Sequence, residues 1–171
     1  MRICVHGAES TGKSKLGEQL ATHFGCEYVP EYGRSYCEVH GTDIDMAALV
    51  HIGQVQDALN LEAAARAHDG PVIFDTDALM TAVWAQMMFG KADSWLAGSE
   101  PTADLYLLMD IDLPFVDDGL RVYGEWRDRQ RFFHLAKAVL EERGVRWALV
   151  SGTGEARLAS ALAAIGEAIG E

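Results

Sequence analysis

Residues Gly7, Ala8, Glu9, Ser10, Thr11, Gly12, Lys13 and Ser14 fit the pattern G-x-x-x-x-G-K-[ST] at every fixed position. The apolar run Ile3, Cys4, Val5 precedes them, and Leu16, Leu20 and Phe24 follow at helical spacing. Strand, glycine-bounded loop, helix is the order such a cradle needs. Its backbone N–H groups then turn inward on an anion, and the helix N-terminus adds partial positive charge. Gly7, Glu9, Ser10, Thr11, Gly12 and Lys15 are expected around a bound ATP, with Lys13 on the terminal phosphates and the Ser14 hydroxyl on magnesium. An acid inside an anion cradle is unusual. Glu9 cannot face the phosphates without repulsion, so it is expected to turn toward the acceptor site or a neighbouring N–H or arginine.

Further chemistry-bearing residues follow other apolar runs. Val72, Ile73 and Phe74 close on Asp75, an acid placed to share the magnesium with Ser14. Asp77, two residues on, is either the cap of the next helix or a substrate contact. The segment from Pro30 to Tyr36 reads as a loop that sets Glu31 or Arg34 against a second substrate, with Tyr32 and Tyr36 as a flat wall. Trp84, in the helix that follows Asp77, is placed to face a substrate ring. Arg121, Arg127, Arg129 and Arg131 crowd a short segment with the hinge glycines Gly119 and Gly124. That pattern predicts a lid over about residues 117–131, closing on transferring phosphates. Gly152 and Thr153 sit in a small-residue loop that would let a flat base lie against the backbone.

These residues need elements to hold them. Strand-like runs recur at Arg2–His6, Cys26–Val29, Val72–Asp75, Leu105–Met109 and Arg146–Val150. Helical patterns lie between them, over Lys13–Phe24, Ile44–His68, Ala78–Phe89, Arg129–Arg143 and Glu155–Ile169. Alternation of this kind predicts an α/β chain with a parallel sheet covered by helices on both faces, and ligands at the carboxyl ends of its strands. At 171 residues one domain is expected over 1–171. A formal net charge of −12 argues against nucleic acid as a partner. Cys4, Cys26 and Cys37 form no C-x-x-C pair and read as free thiols in a reducing compartment. No secretory signal or membrane-length apolar run stands out, so a cytoplasmic protein is expected.

A phosphate loop, a strand-end acid, an arginine lid and an acidic second-strand loop together make a small-molecule kinase. The alternatives are a kinase for another nucleoside or small metabolite, and a non-catalytic nucleotide-switch ATPase. The residues Gly7–Ser14, Glu31-Tyr32-Gly33-Arg34, Asp75-Thr76-Asp77 and Asp118-Gly119-Leu120-Arg121 narrow the choice. In this order and spacing they resemble the ribosylnicotinamide kinase domain of the NadR family, along essentially the whole chain. The resemblance implies a P-loop fold like the nucleoside and nucleotide kinases, with a five-stranded parallel core. It implies transfer of phosphate from magnesium-ATP to the 5′-hydroxyl of nicotinamide riboside, in NAD salvage. Carried onto this chain, it puts Lys13, Asp77, Glu31, Arg121 and Arg127 at the chemistry, with Asp77 or Glu31 taking the hydroxyl proton. Glu31, Tyr32, Arg34, Asp77 and Trp84 would hold the riboside, and Arg129, Gly152 and Thr153 would join the loop around ATP. Many family members also carry an adenylyltransferase and a DNA-binding region. Neither is expected here, so neither adenylyl transfer nor operator binding is.

Overall fold

A computed structural model describes residues 1–67 and 70–170. Among them the strands are β1 (Arg2–His6), β2 (Glu27–Val29), β3 (Val72–Asp75), β4 (Leu105–Met109) and β5 (Trp147–Val150). They form one parallel sheet in the order β2-β3-β1-β4-β5. The helices are α1 (Lys13–Phe24), α2 (Tyr32–His40), α3 (Met46–Arg66), α4 (Ala78–Phe89), α5 (Ser94–Gly98), α6 (Trp126–Glu142) and α7 (Glu155–Ile169).

Side chains alternate across the strands, and each face carries its own core. Ile3 and Val5 of β1 join Ile73, Leu105 and Leu107 beneath Leu16 and Leu20 of α1 and Ala161 and Ile165 of α7. Cys4 joins Phe74, Tyr106 and Leu108 beneath Leu79 and Val83 of α4 and Phe132 and Ala136 of α6. Burial on both faces explains why β1, β3 and β4 are near-continuous apolar runs. Register then positions the site. Val5 pairs with Asp75, so the acid closing β3 lies level with the start of the phosphate loop.

The structure departs from expectation in several elements. The segment beginning at Tyr32, expected as a loop, is the nine-residue helix α2, none of whose residues is fully buried. Helix α6 begins at Trp126, so Arg127, Arg129 and Arg131 belong to its first turns and not to a lid. The short helix α5 was not foreseen. Helix α3 reaches Arg66, and its expected end at His68 lies outside the described residues. No helix among the described residues is long and apolar enough to cross a membrane.

The turn from β3 into α4 separates two acids that are neighbours in sequence. Thr76, between them, has a φ of 72°, a left-handed conformation costly for a β-branched residue. It is held there by its N–H on Val5 O (3.1 Å) and by Asn60 Nδ2 on its carbonyl (3.0 Å). Asp77 emerges fully buried as the N-cap of α4. Its Oδ1 accepts from Leu79 N–H (3.1 Å), and its Oδ2 accepts from Thr102 Oγ1 (3.1 Å) and Tyr106 OH (2.5 Å). Burial pushes the Asp77 carboxyl above its ordinary pKa, against those hydrogen bonds. The expected catalytic and riboside-binding roles of Asp77 are therefore corrected to a structural one. Replacing it leaves buried donors unpaired. Asp77→Ala is expected to cost about 2–4 kcal/mol of unfolding free energy, measured by denaturant titration. An unchanged stability with abolished turnover would restore the catalytic role.

Candidate functional site

A cavity of about 300 Å³ opens beside the phosphate loop and reaches across α2, α3 and α4 to the segment joining β4 to α6. Its charged lining includes Lys13, Lys15, Glu9, Glu31, Arg34 and Arg121. Its apolar lining includes Leu49, Ile52, Met80, Trp84, Met88 and Tyr123. A mostly apolar cleft with a few convergent charges is the form of a small-molecule site.

The loop itself is built tightly. Gly7 takes a φ of 142°, and a Cβ there would sit 3.1 Å from that of Met109, so only glycine fits without strain. Thr11 Oγ1 (2.8 Å) and Lys13 Nζ (3.0 Å) both donate to Ala8 O inside the loop. Arg157, in the first turn of α7, is buried and fastens a second loop to this one. Its Nη1 donates to Thr11 O (3.0 Å), its Nε to Gly152 O (2.8 Å), and its Nη2 pairs with Asp112. Asp112 also accepts from Gly152 N–H (2.6 Å). Gly152 is thus fixed beside the phosphate loop, with Thr153 exposed next to it, although neither lines the cavity.

Asp75 is fully buried at the end of β3. Its Oδ2 accepts from Tyr28 OH (2.9 Å), and its Oδ1 has no partner. Ser14 lies near enough to the Tyr28 hydroxyl to lower its pKa slightly, so the phenol neighbours both residues expected to hold a metal. Burial, then the Asp75 charge, raises the Tyr28 pKa and keeps it a donor. Gly17 of α1 makes room for this ring, since a Cβ there would fall 2.5 Å from Tyr28 Cε2. A bare carboxylate oxygen with a hydroxyl nearby suits a hard divalent cation such as magnesium, which takes few protein ligands beside phosphate oxygens. No cluster of three or more His, Cys, Asp or Glu that could hold a metal ion occurs among the described residues.

Glu31 is the N-cap residue of α2, but its side chain makes no cap hydrogen bond and lines the cavity instead. Burial pushes its carboxyl up to about 7, with Asp75 and Glu9 acting in the same direction and Lys13 and Arg34 opposing them. The backbone around it is set by a polar ladder on α3. Gln56 Oε1 accepts from Tyr32 N–H (2.7 Å), while its Nε2 donates to Pro30 O (3.3 Å) and to Asn60 Oδ1 (3.1 Å). Asn60 continues to Thr76, so one helix face holds the turns after both β2 and β3.

The segment between β4 and α6 lies against the phosphate loop. Arg121 Nη1 donates to Ser10 Oγ (2.9 Å), and its Nε lies 3.2 Å from Asp118. Arg34 also reaches Asp118, at 2.5 Å. The hydrogen bond from Arg34, with Arg121 nearby, holds the Asp118 carboxyl below the ordinary carboxylate range. Glu9 accepts from N–H groups of this segment, as its expected outward turn required. Tyr123 packs on Trp84, with ring centroids 5.6 Å apart.

Most expected residues thus meet around one cavity: Glu9, Ser10, Gly12, Lys13, Ser14, Lys15, Glu31, Arg34, Trp84 and Arg121. Gly7, Thr11, Asp75, Gly152 and Thr153 are set in or against the phosphate loop without lining the cavity, and Tyr32, Arg127, Arg129 and Asp77 do not line it either. Tyr32 packs with Tyr36 and His51 off the cavity, and the tyrosine that lines it is Tyr123, packed on Trp84. Arg127 is exposed on the first turn of α6 and does not line the cavity. Arg129, only 4% exposed, points inward and donates to Leu113 O (2.9 Å). Residues unforeseen from the sequence are Tyr28, Gln56, Asn60, Asp112 and Tyr123. The one local signal was the Gln56/Asn60 pair, two amides at i, i+4 and so on one helix face.

Comparison with known proteins agrees with this arrangement. The chain matches the AAA domain family AAA_28 over residues 2–157. It is 29% identical over 159 residues to the trifunctional NAD biosynthesis/regulator protein NadR of Escherichia coli (strain K12), covering 86% of this chain and 37% of that protein. The NadR of Salmonella typhimurium is likewise 29% identical, over 156 residues, with 85% and 37% covered. The chain therefore spans well under half the length of these relatives. Among solved structures, a NadR protein in complex with NR superposes with a TM-score of 0.81 at 24% identity, covering 99% of this chain and 52% of that one. A deoxyadenosine kinase from M. mycoides gives a TM-score of 0.71 at 11% identity, covering 98% and 100%. These likenesses establish the fold as the α/β P-loop fold found in nucleoside kinases, and they bear out the resemblance to NadR read from the motifs. With its phosphate loop, Asp75 and Arg121 all inside the matched span, the chain belongs to the AAA domain family AAA_28.

Proposed function

We propose that this chain is an ATP-dependent kinase that phosphorylates the 5′-hydroxyl of nicotinamide riboside, giving nicotinamide mononucleotide. The observation that carries the reading is Glu31, an unbonded carboxyl raised to about 7, in a cavity that also presents Lys13, Trp84 and Tyr123. Similarity to proteins named for NAD biosynthesis supports the choice of acceptor. So does the fold shared with a NadR protein bound to NR, read as nicotinamide riboside.

In this reading the pyridine ring lies against Trp84 and Tyr123, and the 5′-hydroxyl reaches Glu31. The hydroxyl oxygen attacks the γ-phosphorus, the bond from that phosphorus to the ADP oxygen breaks, and the proton passes to Glu31. Lys13 and Arg121 offset the charge spread over the transferring oxygens. Ser14 and Asp75 would hold a magnesium ion, which would offset the charge of the terminal phosphates. The loop at Gly152 and Thr153 receives the base of ATP. The segment from Asp110 to Glu125 acts as the lid, and its closure keeps water from competing with the riboside.

An ADP-release assay against a panel of ribosides is expected to respond to nicotinamide riboside. A response to none of them would overturn the reading. Glu31→Gln is expected to lower kcat by about 100-fold or more while ATP still binds, as read by steady-state kinetics and calorimetry. In the wild-type chain kcat/KM should fall about tenfold per pH unit below about 7, as Glu31 gains its proton and loses its capacity to accept one.

Stability should move the other way. The folded carboxyl titrates near 7 against an ordinary 4.5, so its contribution to stability is present below 4.5 and lost as pH rises through about 7. Glu31→Gln should therefore melt higher than wild type at pH 8, with the gap closing toward pH 4.5. Tyr28→Phe frees Asp75 Oδ2, and a magnesium titration of the transfer rate should shift to about tenfold higher magnesium.

A further inference from the structure

Glu9 belongs to the phosphate loop by sequence, yet its bonds lie on the other side of the site. Its Oε2 accepts from the backbone N–H groups of Val122 (3.0 Å) and Tyr123 (3.0 Å). Ser10 works beside it. Ser10 Oγ donates to Pro114 O (3.3 Å) and accepts from Val116 N–H (2.8 Å) and Arg121 Nη1 (2.9 Å). Its backbone takes a φ of 57° to present that hydroxyl, a strained conformation for a residue with a side chain. Two consecutive loop residues thus hold the segment from Pro114 to Tyr123. The last residue so held carries the ring that packs on Trp84, at 5.6 Å and 34° between planes. Glu9, Trp84 and Tyr123 all line the cavity that contains Glu31.

A carboxylate in this position would repel a bound triphosphate unless its charge were engaged elsewhere. Two N–H donors on one oxygen do that, and they also fix where Tyr123 stands. Resting on the riboside-kinase reading, we infer that Glu9 is a positioning residue of the acceptor site. By holding Val122 and Tyr123 it sets the aromatic wall for the riboside ring, so a residue of the ATP loop governs acceptor binding. Its function is geometric: what the segment needs is a hydrogen-bond acceptor at that point.

The test compares wild type, Glu9→Ala and Glu9→Gln in steady-state kinetics with ATP and nicotinamide riboside. Limited trypsin digestion without ligands accompanies it, with cleavage of the Arg121–Val122 bond followed by mass spectrometry. Glu9→Ala is expected to raise the riboside KM by about tenfold while the ATP KM stays within about twofold. Glu9→Gln, whose amide oxygen still accepts, should recover most of the loss. Cleavage after Arg121 should be faster in Glu9→Ala than in the other two. An unchanged riboside KM in Glu9→Ala, an ATP KM that rises in parallel, or a Glu9→Gln variant as impaired as Glu9→Ala would overturn the inference. A wild-type chain inactive on every riboside would instead remove the kinase reading, and the acceptor role with it. The cleavage comparison would then report only whether Glu9 holds the segment.

Discussion

Carboxylates gathered around a site for a polyanion are the constraint on which this structure turns. Glu9, Glu31 and Asp75 all act on one another or on Lys13 across the cavity, in a chain whose net charge is −12. A triphosphate entering among unengaged acids would be repelled. The fold resolves this by giving all but one of these acids a hydrogen-bond partner. Glu9 is taken up by backbone N–H groups of the β4–α6 segment, and Asp75 is half satisfied by Tyr28. Asp77 is withdrawn altogether into the interior with Tyr106 and Thr102. Glu31 alone of the four has no hydrogen-bond partner among the described residues, and its carboxyl is the one raised to about 7. The acid left without a partner is the one free to accept a proton.

Holding that distribution takes backbone that would not arise by local preference. Thr76 and Ser10 are both left-handed without being glycine, one after β3 and one in the phosphate loop. Such residues cost of order 1–3 kcal/mol each and persist only where their surroundings over-determine them. For Thr76 the surroundings are Val5 and Asn60; for Ser10 they are Pro114, Val116 and Arg121. The Gln56–Asn60 ladder ties the turn before Glu31 to the turn that separates Asp75 from Asp77. The candidate base and the candidate metal acid are therefore placed by a single face of α3.

The order of strands and helices, the phosphate loop and the strand-end acid were legible because β1, β3 and β4 are buried on both faces and read as apolar runs. Glu31 was legible from its place after a strand in a parallel sheet, and Trp84 from its place in the helix past Asp77. What was not legible depended on information outside the local pattern. Helix α2 is short and only partly buried, so its polar-tipped residues read as a loop, and with it went the direction of Tyr32. Whether Asp75 or Asp77 faces the site depends on the φ of one threonine. An onset of α6 three residues earlier than the pattern suggested moved Arg127 and Arg129 from a lid to a helix. Tyr28 finds Asp75 across 47 residues of sequence, a pairing that only the sheet order makes.

The central claim is transfer to a riboside hydroxyl, as opposed to hydrolysis of the nucleotide. Phosphorus NMR of a mixture of the chain, magnesium-ATP and nicotinamide riboside tests it most directly. The account predicts a new phosphomonoester resonance, coupled to the 5′ protons of the riboside, growing in step with ADP. Growth of inorganic phosphate and ADP without that resonance would contradict it.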